Sequence, residues 1–111
     1  MLVCHVVTFT FKAGTPDEAI GKFGAALDDL ATTSDAMSYR HGRDLHRREG
    51  NADYSITAVF ADYDAFTTYM TSSGHLSIVS DLLSPHLESR SAVQFAVDSD
   101  AVAVANGRVH A

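Results

Sequence analysis

The run Leu2-Val3-Cys4-His5-Val6-Val7-Thr8-Phe9-Thr10-Phe11-Lys12 does more than any other stretch to limit what this chain can become. It has the composition and alternation of a strand. Val3, His5, Val7, Phe9 and Phe11 share one face, and Leu2, Cys4, Val6, Thr8 and Thr10 the other. One imidazole thus stands in an otherwise apolar row. Burying it alone is costly, so it must find a hydrogen-bond partner or stay solvated. His5 is either a satisfied core position or part of the wall of a wet cavity.

The pattern downstream completes a single domain, the expected count for 111 residues. Ala13-Gly14-Thr15-Pro16-Asp17-Glu18 reads as a turn and helix start, with Thr15 as cap, Pro16 at the first helical position and Glu18 completing a capping box. Ile20, Phe23, Leu27 and Leu30 then follow at helical spacing, to an end near residues 31–35. Met37 to His46 is a polar strand of the kind found at sheet edges. Residues 47–53 form a turn, and Tyr54 to Ala61 is a second apolar strand. Asp62 caps a helix whose inner face carries Phe66, Tyr69 and Met70. Residues 71–74 break it, and a third helical piece from about His75 turns Leu76, Val79, Leu82 and Leu83 inward until Pro85. Ser91 to Val97 is the last strand, and a frayed tail with room for one short strand is expected over 99–111.

Strand, helix, strand, strand, helix, strand is the ferredoxin-like α+β arrangement. Its antiparallel four-stranded sheet carries helices on one face only. Leu2, Cys4, Val6 and Val59 then lie on the open face and are too apolar to leave bare. A second copy of the chain is the simplest cover, so a homodimer packed sheet to sheet is expected.

Composition narrows the partners. A net charge of −6 disfavours nucleic acid and anionic membranes. No apolar run approaches a membrane span, and the amino terminus lacks the pattern of a secretory signal, so the expected compartment is the cytoplasm. Cys4 stands alone, which leaves no intrachain disulfide and reads as a small core hydrophobe. His41 and His46 sit five residues apart in an arginine-rich stretch. On a strand they face opposite ways, and the arginines repel cations, so no metal site is expected there. A solvated hairpin is expected instead, its arginines a weak pointer to a substrate carboxylate or thioester phosphate. His86, after Pro85, is expected at the border of the pocket. No glycine-rich phosphate loop, paired-cysteine motif or nucleophile elbow is present.

His5-Val6-Val7-Thr8-Phe9-Thr10-Phe11-Lys12 with the Gly14 turn, Ala36-Met37, Gly42-Arg43-Asp44 and the segment Tyr69 to His75 together resemble the stress-responsive dimeric α+β barrel (Dabb) family over residues 1–98. The resemblance implies a dimeric barrel whose monomers each hold a cavity between helices and sheet. One class of members, the olivetolic acid cyclase type, closes linear poly-β-keto chains without a cofactor. It uses a first-strand histidine, a tyrosine on the second helix and a histidine six residues later. His5, Tyr69 and His75 match those positions, so the resemblance implies a catalytic set of these three and no cofactor. The chain departs from the family where Ser72-Ser73 replaces a histidine-proline pair. The aromatic pair on the first helix is reduced to Phe23, followed by Gly24 and Leu27, which implies a differently shaped, wider pocket. Gln94 and Ala96 are expected to point inward, where the cyclase has an aspartate at the latter place.

Aldol-type closure needs a base beside a carbonyl and a donor for the developing enolate oxygen. Histidine suits the first role and a tyrosine hydroxyl the second. His75 would be the base, kept neutral at a helix amino terminus. Tyr69 would polarise the carbonyl, and His5 would hold a substrate oxygen or relay a proton. Val7, Phe9, Phe23, Leu27, Ile56 and Ala58 would line an apolar pocket, with Gln94 reaching in from the last strand. The leading expectation is a cofactor-independent polyketide cyclase-like or lyase enzyme of biosynthesis, acting on a polyketide-like or other carbonyl-bearing, largely apolar metabolite. The alternatives are a non-catalytic stress-response or ligand-binding dimer and a cofactor-free monooxygenase, and fold alone does not choose among them.

Overall fold

In the computed structural model, which describes residues 1–98, β1 (Leu2–Phe11) runs between two antiparallel neighbours. β3 (Tyr54–Phe60) pairs on one side, with His5 opposite Ala58 and Phe9 opposite Tyr54. β4 (Leu87–Val97) pairs on the other, with His5 opposite Gln94 and Phe9 opposite Arg90. β2 (Ser38–Arg43) adds the outer edge beyond β3, giving the order β2-β3-β1-β4. α1 (Asp17–Thr33), α2 (Tyr63–Thr71) and α3 (Ser73–Ile78) supply the helical layer. From α3 the chain passes through a π-helical turn at Val79–Leu83 and a 3-10 turn at Ser84–His86 into β4. The expected ferredoxin-like α+β fold is therefore observed, with the sheet unclosed. The tail expected over 99–111 lies outside the described residues.

The inner face of the sheet is buried by aromatic packing. Phe23 of α1 meets Phe9, Phe11 and Tyr54 edge to face at centroid distances of 5.7, 6.2 and 5.2 Å. Each such ring contributes roughly 1.5–3 kcal/mol through burial, and an edge-to-face pair about 0.5–1.5 kcal/mol more. A second cluster joins Leu30, Ala58, Phe60, Phe66 and Tyr69. On the other face Leu2, Cys4 and Val6 lie beside Val97, Phe95 and Val93 of β4, and Val59 of β3 lies opposite Cys4. Val93 and Phe95 remain 54 % and 48 % exposed, so this face ends in an apolar surface without cover.

Several local expectations change. Pro16, not Thr15, occupies the N-cap of α1, and it makes no side-chain cap bond. The Thr15 hydroxyl instead donates to the Lys12 carbonyl at 2.6 Å, closing the preceding turn, while Glu18 pairs with Lys22 one turn on. Asp62 does cap α2, accepting from the Ala65 N–H at 2.8 Å. α3 starts at Ser73 because Ser72 caps it, accepting from the His75 N–H at 3.2 Å. Leu76 then points outward, 54 % exposed, whereas Leu83 in the π-helical turn is buried as expected. β4 begins at Leu87 rather than Ser91. Its early residues Glu88-Ser89-Arg90 carry no apolar alternation and are held by main-chain pairing with β1 across a register shift at Thr10/Phe11.

His41 is not in a solvated hairpin. α1 covers the inner side of β2, leaving the imidazole 13 % exposed, with Nε2 at 2.6 Å from Asp28 Oδ1 and Nδ1 at 2.6 Å from Tyr54 Oη. The carboxylate can only accept, so Nε2 carries a proton, and in the neutral ring Tyr54 donates to Nδ1. Gly24 makes room for this arrangement, since a Cβ there would lie 3.0 Å from Tyr54 Oη and 4.0 Å from His41 Cε1. The missing side chain at Gly24 is thus filled by Tyr54 and does not widen a pocket. Gly24→Ala gains helix propensity of about 1 kcal/mol but crowds a buried hydroxyl, a change that costs about 1–3 kcal/mol. Thermal denaturation should show a net loss of stability, and a raised Tm would contradict the close packing.

Candidate active site

Beneath the helices the chain encloses a cavity of about 180 Å³ lined by His5, Val7, Phe9, Ile56, Tyr69, Met70, His75, Val79, Leu83, Leu87 and Arg90. The sheet supplies its floor, and α2, α3 and the π-helical turn supply its roof. π-Helical turns recur where a helix must re-aim side chains, and this one turns Val79 and Leu83 onto the wall.

His5 is 3 % exposed, and Gln94 Nε2 approaches its Nδ1 at 3.0 Å. An amide N–H donates, so Nδ1 accepts and the neutral ring holds its proton on Nε2. Burial, then the nearby His75 and the Arg90 cation, push the His5 pKa from 6.5 down to about 4. Tyr69 Oη lies 2.8 Å from Tyr39 Oη. Burial raises the Tyr69 pKa, and the bond to Tyr39 opposes that rise. The same bond adds to burial in raising Tyr39. Either hydroxyl can donate across this bond, and when Tyr39 donates, the Tyr69 hydroxyl proton is free for a ligand.

His75 packs its ring 4.9 Å from Tyr69, and its Nδ1 is buried without a hydrogen-bond partner. Burial lowers its pKa, with the Met70 backbone pulling the other way and Arg90 adding to the fall. The His5 and Tyr69 ring centroids are 6.4 Å apart. The expected trio of His5, Tyr69 and His75 thus borders one cavity.

Other expected contacts fall elsewhere. Val7, Phe9 and Ile56 line the cavity, but Phe23, Leu27 and Ala58 are packed into the core beside it and are not on its wall. Gln94 is absent from the wall and acts on His5 alone. His86 borders a separate surface groove beside Pro16 and Lys22. The cation on the cavity is Arg90, whereas Arg43 of the arginine-rich stretch pairs with Asp17. Tyr39 and Arg90 were not expected at the site. Tyr39 could have been found from its inward parity with His41 on β2, whereas Arg90 lay before the expected start of the last strand. Among the described residues no group of three or more His, Cys, Asp or Glu side chains is placed to hold a metal ion, and no helix is long and apolar enough to cross a membrane.

Because the folded-state pKa of His5 lies below its ordinary value, the unfolded chain binds a proton that the folded chain refuses between about pH 6.5 and about 4. The stability contributed by the neutral ring is complete above that window and is lost as pH falls through it. Melting temperature should drop across this range, and proton NMR should find the His5 ring titrating at about 4. Titration at the ordinary value would contradict its burial.

Comparison with known proteins places the geometry in a lineage. No curated protein matches the chain in sequence. Among solved structures, a dimeric ferredoxin-like protein of unknown function from Thermobifida fusca superimposes with a TM-score of 0.81 at 26 % identity, covering 87 % of this chain and 92 % of that one. A Dabb family protein with a ferredoxin-like fold from Mesorhizobium loti gives 0.73 at 20 %, over 88 % and 98 %. The hydroxynitrile lyase of Passiflora edulis gives 0.75 at 16 %, over 88 % and 94 %, a likeness of fold. The model of the stress responsive A/B barrel domain matches residues 3–97, nearly the whole described chain, and the protein belongs to that Dabb family.

Proposed function

We propose that this chain is a cofactor-independent acid–base enzyme, of cyclase or lyase type, acting on a small carbonyl-bearing molecule. The observation that carries this reading is the gathering of His5, Tyr69 and His75 on one apolar cavity, with no direct hydrogen bond among the three to occupy their polar atoms. That the same fold serves a hydroxynitrile lyase in Passiflora edulis supports lyase or aldol-type chemistry as within its reach.

In this reading His75 is the base. It is neutral at pH 7, and its Nδ1 has no competing partner. The imidazole takes the proton from the carbon beside the substrate carbonyl, and the electron pair moves onto the carbonyl oxygen. Tyr69 donates its hydroxyl proton in a hydrogen bond to that oxygen, while Tyr39 satisfies the other side of the phenol. His5 is too weak a base for proton abstraction at neutral pH. With Nδ1 held by Gln94, it offers its Nε2 proton to a second oxygen. The enolate carbon then attacks a second carbonyl, and His75 returns the proton to the alkoxide oxygen, which becomes a hydroxyl. In the reverse, lyase direction His75 takes the hydroxyl proton, the carbon–carbon bond breaks to a carbonyl and an enolate, and His75 returns the proton to the enolate carbon. The cavity corresponds to about six water molecules at about 30 Å³ each and lies below the range of about 300–1,000 Å³ usual for drug-sized ligands. A single ring or short chain fits it better than an extended polyketide.

Turnover of small β-keto and hydroxy-carbonyl compounds should fall by about 10²–10⁴ in His75→Ala and by about 10²–10³ in Tyr69→Phe, with a smaller loss in Tyr39→Phe. Substrates that bind the wild-type cavity without turnover would favour a ligand-binding dimer. Unchanged turnover in the first two variants would remove the assigned roles.

Two copies are proposed to meet through the open sheet face, as the dimeric state of structural neighbours suggests. Phe95→Asp puts a charge into that apolar face, and sedimentation should then find a monomer where the wild type is a dimer. A variant that still dimerises would exclude this face as the interface.

A further inference from the structure

Arg90 is the one permanently charged side chain on the cavity wall, and no acid lines the cavity with it. It lies opposite Phe9 on β4, on the same face of the sheet as His5. Its side chain is exposed, and among the described residues it forms no ion pair with any carboxylate. In a chain of net charge −6 a pairing acid would be easy to supply, and among the described residues none pairs with it. The two imidazoles that share the wall are neutral, so no other charged group in the cavity competes with the guanidinium. The remaining wall is apolar: Val7, Phe9, Ile56, Val79, Leu83 and Leu87.

We propose that the cavity takes a carboxylate-bearing substrate, with Arg90 as the specificity-determining anchor for the carboxylate. A guanidinium presents paired N–H donors that match the two oxygens of a carboxylate, and such charge-assisted pairs are stronger than neutral hydrogen bonds. The anchor at one end leaves the apolar body against the aliphatic wall and sets the reacting carbonyl toward Tyr69 and His75. The substrate class is thus a small keto acid, aryl acid or similar monoanion rather than a neutral ketone. This inference rests on the preceding reading that the cavity is a small-molecule site.

Benzoate and its neutral isostere benzamide test it on the full chain without need of turnover. Titration followed by proton NMR should show benzoate shifting the His5 and His75 ring signals and binding at least about tenfold more tightly than benzamide, as charge-assisted pairing predicts. Arg90→Gln should bring benzoate down to the benzamide level with Tm unchanged, and Arg90→Lys should fall between, since the ammonium keeps the charge but loses the paired donors. Added salt should weaken benzoate alone. If the two probes bind the wild type equally while shifting the ring signals, the anchor is wrong and the cavity reading stands. Should neither probe move the histidine signals at millimolar concentration, both the anchor and the small-molecule reading fail.

Discussion

β1 has a hydrogen-bonded neighbour on each side along its length, and this double pairing decides what every residue of the site faces. Strand side chains alternate with a period of two, so a slip of one residue would carry His5 to the open face and Cys4 under the helices. Phe9 and Phe11 hold the register against Phe23 of α1. At the end of the β1–β3 pair the Asp53 carboxylate accepts from the Phe11 N–H at 2.8 Å, and the Asp53 N–H donates to the Phe9 carbonyl at 2.8 Å. With the register fixed, the small Ala58 lies beside His5 on one strand and Gln94 on the other. The imidazole thereby gains one hydrogen bond from the edge strand and none from the core.

Burial then sets the charge state of the site. Histidines lose affinity for protons and tyrosines hold theirs more firmly, because both effects disfavour the charged form in an apolar surround. Each polar group has a definite environment: Nδ1 of His5 accepts from Gln94, the Tyr69 hydroxyl shares one hydrogen bond with that of Tyr39, and Nδ1 of His75 is unpartnered. Neutral donors and acceptors in a low-dielectric cavity act more strongly than in water. Arg90 is the exception, a fixed charge at a wall otherwise kept neutral.

Much of this is legible in the sequence, and the limits have physical reasons. The alternation of Leu2–Phe11 and Tyr54–Phe60 identifies the central strands because both bury an inner face. The helical spacing of Phe23, Leu27 and Leu30 likewise gives the buried face of α1. The edge strands are harder. β2 and the first half of β4 are held by main-chain bonds to a neighbour, so their side chains carry little apolar pattern. That is why His41 reads as solvated and Arg90 falls before the expected strand. The capping box at Thr15 fails for a local reason, since its hydroxyl bonds backward to Lys12 instead of forward into the helix. Phe23, Leu27 and Ala58 have the polarity of pocket residues, but polarity cannot separate a cavity wall from the core packed beside it.

β4 ties the two faces of the sheet together. Arg90 and Gln94 stand on its inner side, opposite Phe9 and His5, while Val93 and Phe95 alternate onto the open face. An edge strand with exposed side chains on both faces is the part of a sheet most prone to local opening. If β4 frays, His5 loses Gln94, and a buried ring nitrogen without its partner costs about 1–3 kcal/mol. On the proposed interface, a second copy seated on Val93 and Phe95 would restrain the same strand from behind, burying apolar surface and holding Gln94 and Arg90 in register. Assembly and site geometry then depend on alternate residues of one strand, so the dimer would contribute to the chemistry without any partner residue entering the cavity.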